Sequence, residues 1–203
     1  MSPTLMDLRC VPYITARECI YSADVLLFRS KRNVSLIAKA GRSDYNHAGL
    51  AAWWCSEKGT MGFKPEPAFS RLICLDTVAF RGGGHTFLSD LVEESPGCID
   101  VYQPTIDVDI PAIVEKMMET TSGRYGWWGL LKVSTLHLPV FRLFAKPNLD
   151  DESDGSLPFC SDAVSRAYRL GGGIDLVPNL ADKCTEPGDL ARSALLSYKF
   201  TLI

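Results

Sequence analysis

The stretch Leu157-Pro158-Phe159-Cys160-Ser161-Asp162-Ala163-Val164 runs from a proline turn into an amphipathic segment. Small and apolar side chains then recur at helical spacing as far as Tyr168, and the three glycines at residues 171–173 end the pattern. This pattern predicts a helix with Cys160 in its first turn. Unpaired backbone N–H groups and the helix dipole favour an anion there, so the position suits a nucleophilic thiolate. The alternative is an inert, buried cysteine.

The composition is that of an ordinary globular protein, and residues 1–203 are expected to form one domain. The net charge of −3 argues against a broad nucleic-acid-binding surface. Seven scattered cysteines without a Cys-x-x-Cys pair indicate reduced thiols rather than a disulfide framework. His47, His85 and His137 form no ligand-spaced cluster with them, so no metal site is predicted. Neither glycine-rich run matches a dinucleotide or phosphate loop, and no cofactor is expected.

The chain begins without the basic and then apolar run of a secretory signal, so we expect a cytoplasmic location. Its most apolar region, residues 127–145, is interrupted by Lys132, Pro139 and Arg142, which makes a membrane span improbable. That region is either a buried helix or an interfacial segment that contacts lipid. The oligomeric state is not readable from the sequence.

The periodicity along the chain predicts an α+β fold with three to six strands, not a doubly wound sheet. Strands are expected at residues 24–29, 47–54, 69–80 and 99–103, with a turn at residues 81–84 and a further short strand from His85. Residues 110–121 form the clearest amphipathic helix, and an apolar segment closes the chain at residues 195–203. The expected core includes Val25, Leu26, Leu27, Leu50, Ile73, Leu75, Val114, Met117, Val164, Ala167 and Leu190.

A cysteine nucleophile needs a base, and the base needs a third group to orient it. His47 lies where a polar run enters an apolar strand, so it is either that base or a structural histidine at a strand end. His85 and His137 are the other histidines. Asp76 is an acid within an otherwise apolar strand, which indicates either a partnered carboxylate or an edge-strand carboxylate in solvent. Turn and cap roles explain Asp24 and Asp44.

Five segments, in this order, resemble those of a known family. They are Ala23-Asp24-Val25-Leu26-Leu27-Phe28-Arg29, Tyr45-Asn46-His47-Ala48-Gly49-Leu50, Tyr125-Gly126-Trp127-Trp128, Phe159-Cys160-Ser161-Asp162-Ala163-Val164-Ser165-Arg166-Ala167-Tyr168 and Pro187-Gly188-Asp189-Leu190-Ala191-Arg192-Ser193. The chain resembles the circularly permuted NlpC-type papain-like cysteine hydrolases, in particular the YiiX/YebB-like group. A permutation explains why the histidine precedes the cysteine, because catalysis needs proximity in space and not in sequence.

The resemblance implies a papain-like α+β core, a small antiparallel sheet or half-barrel packed on helices that include the Cys160 helix. It implies Cys160 as nucleophile, His47 as base and Asp76 as the third group, where many relatives have a glutamate. Tyr125, and with it Tyr45, matches positions that line the oxyanion or substrate site.

The reaction implied by the resemblance is acyl transfer, with an amide of a small peptide or cell-wall fragment as the leading substrate. A lipid or thioester acyl hydrolase or acyltransferase is the alternative, and a membrane surface is then a further partner. A catalytically silent structural or binding protein of the same fold is the third hypothesis.

Overall fold

The computed structural model describes residues 10–29, 43–55, 60–62, 70–78, 82–122 and 159–203. The strands are β1 (Cys10–Val11), β2 (Val25–Arg29), β3 (Tyr45–Cys55), β4 (Thr60–Gly62), β5 (Ser70–Val78), β6 (Gly82–Phe87), β7 (Ile99–Pro104) and β8 (Leu196–Leu202). The α-helices are α1 (Tyr13–Ala16), α2 (Leu88–Glu94), α3 (Ile110–Thr121), α4 (Cys160–Gly172) and α5 (Pro187–Arg192). Short 3-10 turns lie at Arg17–Cys19 and Asp182–Cys184.

The strands form one mostly antiparallel sheet in the order β1-β8-β7-β2-β3-β5-β6, and β4 pairs with the end of β3 on the edge opposite β5. Only the short pair β1–β8 is parallel among the described strands. The α+β class expected from the sequence is confirmed. The described residues contain eight strands, however, so the expected sheet of three to six strands was too small.

The sheet has a core cluster on each face, because successive residues of a strand project to opposite sides. The first cluster joins Ala48, Leu50 and Ala52 of β3 to buried residues of α3 and α4. The second joins Ala51 and Trp53 to buried residues near α1 and α2. All eleven positions expected in the core are buried. Helix α4 therefore lies on the first face, and its start is fixed relative to β3.

Helix α4 begins and ends as its sequence indicates. Its first intrahelical hydrogen bond runs from the N–H of Ala163 to the carbonyl of Phe159, at 2.7 Å. At the other end Gly173 has φ +67°, a left-handed conformation that glycine adopts without strain. The N–H groups of Gly173 and Ile174 then bond to the carbonyls of Arg169 and Tyr168, which satisfies the end of the helix.

The glycine run at residues 82–84 is a strand and not the turn expected from its composition. Gly82, Gly83 and Gly84 pair with Val78, Thr77 and Asp76. A Cβ atom on Gly83 would overlap the backbone of Thr121, so α3 ends directly against β6. Glycine at this position therefore allows the backbones of β6 and α3 to come into contact. Turn preferences of the local sequence do not indicate such a contact.

Smaller expectations also fail. The sequence pattern predicts Ser89 as a helix cap, but Ser89 lies inside α2, whose N-cap is Phe87. The apolar periodicity of α3 predicts that Met118 faces inward, yet it is 39% exposed. The periodicity of α4 predicts Ser165 on the outer face, yet it is buried and donates to Asp182 at 2.7 Å. None of the described helices has the length and apolar character needed to span a bilayer. The apolar residues 127–145, including His137, lie outside the described residues.

Candidate active site

His47 and Asp76 meet where two neighbouring strands separate. The pairing of β3 with β5 ends at Leu50 and Leu75, and beyond that point Asp76 pairs with β6. The Nε2 atom of His47 lies 2.7 Å from Oδ2 of Asp76. Asp76 is buried, while the side chain of His47 is 23% exposed. The carboxylate thus has the partner that its place in an apolar strand predicts.

Gly49 lets β5 approach β3 at this point. A Cβ atom on Gly49 would overlap Sγ of Cys74 and would lie 3.1 Å from the carbonyl oxygen of Leu75 and 3.4 Å from Cβ of Asp76. A glycine within a strand often marks such a close contact. Gly49 is assigned no role in the sequence analysis. A glycine between apolar residues of a predicted strand could have indicated this close contact.

Cys160 is the first residue of α4 and is 8% exposed. Its sulfur is hydrogen-bonded to His47 and accepts hydrogen bonds from the backbone N–H groups of Ala48 and Ser161. Because Asp76 occupies Nε2 of the ring, Nδ1 is the nitrogen that remains for the sulfur. The three side chains predicted from the sequence are therefore in one chain of contacts, Asp76 to His47 to Cys160.

The electrostatics of this group favour an ion pair. Burial by itself would raise the pKa of Cys160, but the charge of His47 and the hydrogen bonds to His47, Ala48 and Ser161 outweigh it, so the pKa is lowered. Burial would likewise lower the pKa of His47. The charge of Cys160 and the hydrogen bond that His47 donates to Asp76 outweigh it and raise the pKa of His47 to about 10. Both shifts favour the thiolate–imidazolium form of the pair over the neutral form.

Phe28 packs against the ring of His47. The two residues are paired across β2 and β3, and their ring centroids lie 5.2 Å apart at an angle of 55°. A cation within about 6 Å of an aromatic ring is attracted to its face. Phe28 therefore contributes both a steric limit on the ring of His47 and a surface that tolerates its positive charge.

Tyr45, assigned to the oxyanion or substrate site by resemblance, has its hydroxyl elsewhere. It donates to Oδ2 of Asp100 at 2.6 Å and lies 3.0 Å from the hydroxyl of Tyr102. No described hydrogen bond joins that hydroxyl to Cys160 or His47. Its role as a substrate-binding residue stays a prediction, as does that of Tyr125, which lies outside the described residues.

His85, Asp24 and Cys74 are not members of this chain of contacts, although the charges of Asp76 and Cys160 add to the rise in the pKa of Cys74. His85 is exposed on β6. Asp24 accepts a hydrogen bond from Lys199 at 3.0 Å, and its burial raises its pKa to about 6. Cys74 is fully buried behind Gly49, and burial raises its pKa well above the ordinary thiol value. The sequence predicts packing roles for Cys55, Cys74 and Cys98; Cys55 and Cys74 are buried, but Cys98 is only half-buried.

An apolar cavity of about 430 Å³ lies between the end of α3 and the sheet, and Cys160, His47 and Asp76 are not among its lining residues. Ile73, Leu75, Phe87 and Met118 contribute to its lining. Gly84 also borders it and is the residue paired with Asp76. Among the described residues, no group of three or more His, Cys, Asp or Glu side chains is arranged to hold a metal ion.

Comparison with known proteins gives little further information. No protein-family model matches the chain, and no curated protein matches it. Among solved structures, it is similar to the crystal structure of YiiX from Escherichia coli O157:H7, which is described as a metalloprotein. The identity is 15% and the TM-score 0.49, over 89% of this chain and 96% of that one. Likeness at this level carries no conclusion about activity or metal binding.

Proposed function

We propose that this protein is a cysteine hydrolase that cleaves an amide bond in a small peptide or cell-wall fragment. Cys160 is the nucleophile, His47 the general acid and base, and Asp76 the group that orients His47. One observation carries the proposal: the buried sulfur at the start of α4 is hydrogen-bonded to a histidine whose other nitrogen lies 2.7 Å from a buried carboxylate. A nucleophile, a base and an orienting group in contact are the elements of covalent acyl transfer.

In the first half-reaction the thiolate of Cys160 attacks the carbonyl carbon and forms a C–S bond. Charge builds on the carbonyl oxygen, and the backbone N–H of Cys160 is placed to receive it, because it precedes the first intrahelical hydrogen bond of α4. The imidazolium of His47 then protonates the leaving amine as the C–N bond breaks. In the second half-reaction neutral His47 removes a proton from water, which attacks the thioester and releases the acid and the thiolate.

The first test is the pH dependence of alkylation of Cys160 by iodoacetamide, followed by peptide mass spectrometry. Cys10 and Cys19 are exposed and act as reference thiols in the same sample. We expect Cys160 to react well below pH 8 in the native protein and to lose that reactivity in His47→Ala, because the charge that lowers its pKa is removed. His85→Ala is the matched control, since His85 is exposed on β6 and should change nothing. A profile for Cys160 that follows an ordinary thiol in the native protein would instead favour a catalytically silent protein.

The second test is turnover. Asp76→Asn retains an acceptor for Nε2 but removes the charge, and we expect kcat/KM on a dipeptide-amide reporter to fall by roughly 10²-fold or more. Cys160→Ala sets the background rate. Full activity in Asp76→Asn would show that the carboxylate is a structural partner of His47 only.

A second candidate, an acyl-ester or thioester hydrolase, is favoured by the apolar cavity bordered by Gly84. Such a cavity suits an aliphatic acyl group, because it offers few polar partners. Parallel assays with a dipeptide amide and with acyl esters of increasing chain length separate the two candidates. Rates that rise with chain length favour the ester hydrolase. Inertness to both reporter types argues against each.

A further inference from the structure

A buried carboxylate holds both strands beside His47. Asp100 on β7 is 1% exposed. Its Oδ1 accepts hydrogen bonds from Nη2 of Arg29 at 2.8 Å and from Oγ1 of Thr201 at 2.6 Å. Its Oδ2 accepts a hydrogen bond from the hydroxyl of Tyr45 at 2.6 Å. Asp100 therefore binds the last residue of β2 and the first residue of β3 at once.

Those two residues border a β-bulge. Phe28 pairs with His47, but the next residue, Arg29, pairs with Tyr45, so Asn46 is the extra residue on β3. A bulge changes the direction of the side chains that follow it, and bulges are common next to active sites. Here the bulge lies between the residue that Asp100 anchors and the histidine of the proposed pair.

The bulge has a visible consequence for the side chains on either side of it. Residues two apart in a regular strand project from the same face. Tyr45 packs against the first core cluster, the one that contains α4. His47 instead contacts Phe28, which packs against the second cluster. Asp76 follows the alternation of Cys74, which is also in the second cluster. His47 continues the alternation of Ala51 and Trp53, so the bulge turns Tyr45 rather than His47 to the opposite face, where its hydroxyl reaches Asp100.

We propose that Asp100 is a positioning residue, which holds Arg29 and Tyr45 and so fixes the register of β2 and β3 that directs His47 at Asp76 and Cys160. The inference rests on the proposed function, since its purpose is to maintain the proposed catalytic pair. Tyr45 then acts on His47 only through the backbone of β3, and it does not contact the substrate. Its ring is held as well, edge-on to Tyr102 with centroids 6.3 Å apart.

Tyr45→Phe tests the proposal by removing one hydroxyl and leaving the ring. We expect the midpoint of Cys160 alkylation to rise by about half a pH unit, which corresponds to roughly a threefold lower thiolate fraction below the midpoint. Tyr168→Phe is the matched control. It also removes a tyrosine hydroxyl that donates a 2.6 Å hydrogen bond, to the carbonyl of Ala23, and it should lower stability without moving the midpoint.

A second readout does not depend on the thiol. The Nε2 proton of His47, held by a 2.7 Å contact with Asp76, should give a downfield imidazole resonance, and Tyr45→Phe should weaken or shift it. Arg29→Lys tests the other strand if Tyr45→Phe does not fold, and it should move the same two readouts in the same direction.

The outcomes separate the two proposals. A midpoint that is ordinary in the native protein refutes the proposed function, and the imidazole resonance then decides the positioning role alone. The positioning role is overturned if the native protein has a lowered alkylation midpoint that Tyr45→Phe does not change. It is also overturned if Tyr45→Phe and Tyr168→Phe raise the midpoint equally. Asp100 is then a structural carboxylate only.

Discussion

The packing at Gly49 allows a sharp test of how closely β3 and β5 approach beside Asp76. In Gly49→Ala the added Cβ overlaps the sulfur of Cys74, which is fully buried and has little room to move. Overpacking of this kind costs about 1–3 kcal/mol. A Gly-to-Ala change also reduces the conformational entropy of the unfolded chain, which stabilises the folded protein by about 0.4–1 kcal/mol. The expected net loss in the free energy of unfolding is therefore about 1–2 kcal/mol.

Gly84→Ala is the matched control on β6. A Cβ atom there would have no heavy atom within 4 Å, so only the gain from the unfolded chain applies. We expect this variant to be neutral or slightly stabilised. The two variants should differ by about 2 kcal/mol, which for a chain of 203 residues corresponds to roughly 4–8 °C in Tm.

Urea unfolding, with the midpoint and the m-value fitted separately, measures the difference. Cys74→Ala combined with Gly49→Ala then completes a double-mutant cycle, in which loss of the sulfur should recover much of the stability lost in the single variant. Equal stability of Gly49→Ala and Gly84→Ala, or a cycle with no coupling between Gly49 and Cys74, would refute the close approach of the two strands.

Two further predictions concern pH. The His47 pKa is raised from 6.5 to about 10, so the contribution of His47 to the unfolding free energy is lost as pH rises toward 10. The Cys160 pKa is lowered from 9.0, so the contribution of Cys160 is lost as pH falls below 9. Above pH 9 only the His47 slope remains, so the contribution of the pair to the unfolding free energy should fall between pH 9 and about pH 10. Urea unfolding at pH 8 and 9.5 tests this, and Cys160→Ala/His47→Ala should lack the fall. Lys199→Met leaves buried Asp24 without its cation, so it should destabilise the protein by about 3 kcal/mol at pH 8 and by clearly less at pH 5, below the raised Asp24 pKa of about 6. Lys116→Met, whose partner Glu119 is 59% exposed, should cost under about 1 kcal/mol at either pH, and equal effects of the two lysine variants would contradict the interpretation.

Local patterns in the sequence predict the elements that carry the candidate site. The bounds of α3 follow from its apolar periodicity and from Pro111 in its first turn, and the start of α4 at Cys160 follows from the proline turn that precedes it. An acid in an apolar strand, Asp76, requires a partner wherever it is buried. These features depend on neighbours along the chain, so one sequence is enough to read them.

Local patterns mislead where the structure of a residue depends on contact with a segment distant in the chain. Residues 82–84 have the composition of a turn, but they pair with β5 as a strand. Position 83 is a glycine because the backbone of Thr121 leaves no room for a side chain there. The hydroxyl of Tyr45 likewise bonds Asp100, 55 residues along the chain, and no pattern among the neighbours of Tyr45 indicates that partner.

The residue types of the candidate site, a thiol at a helix start, a histidine at a strand start and an acid in an apolar strand, are determined by the sequence alone. Their contact is decided by the tertiary structure, through the register of β2 with β3 and the end of β3–β5 pairing at Leu50 and Leu75. The physical reason is that strand register depends on backbone hydrogen bonds and packing between segments distant in the chain, and a shift of one residue would turn His47 to the other face.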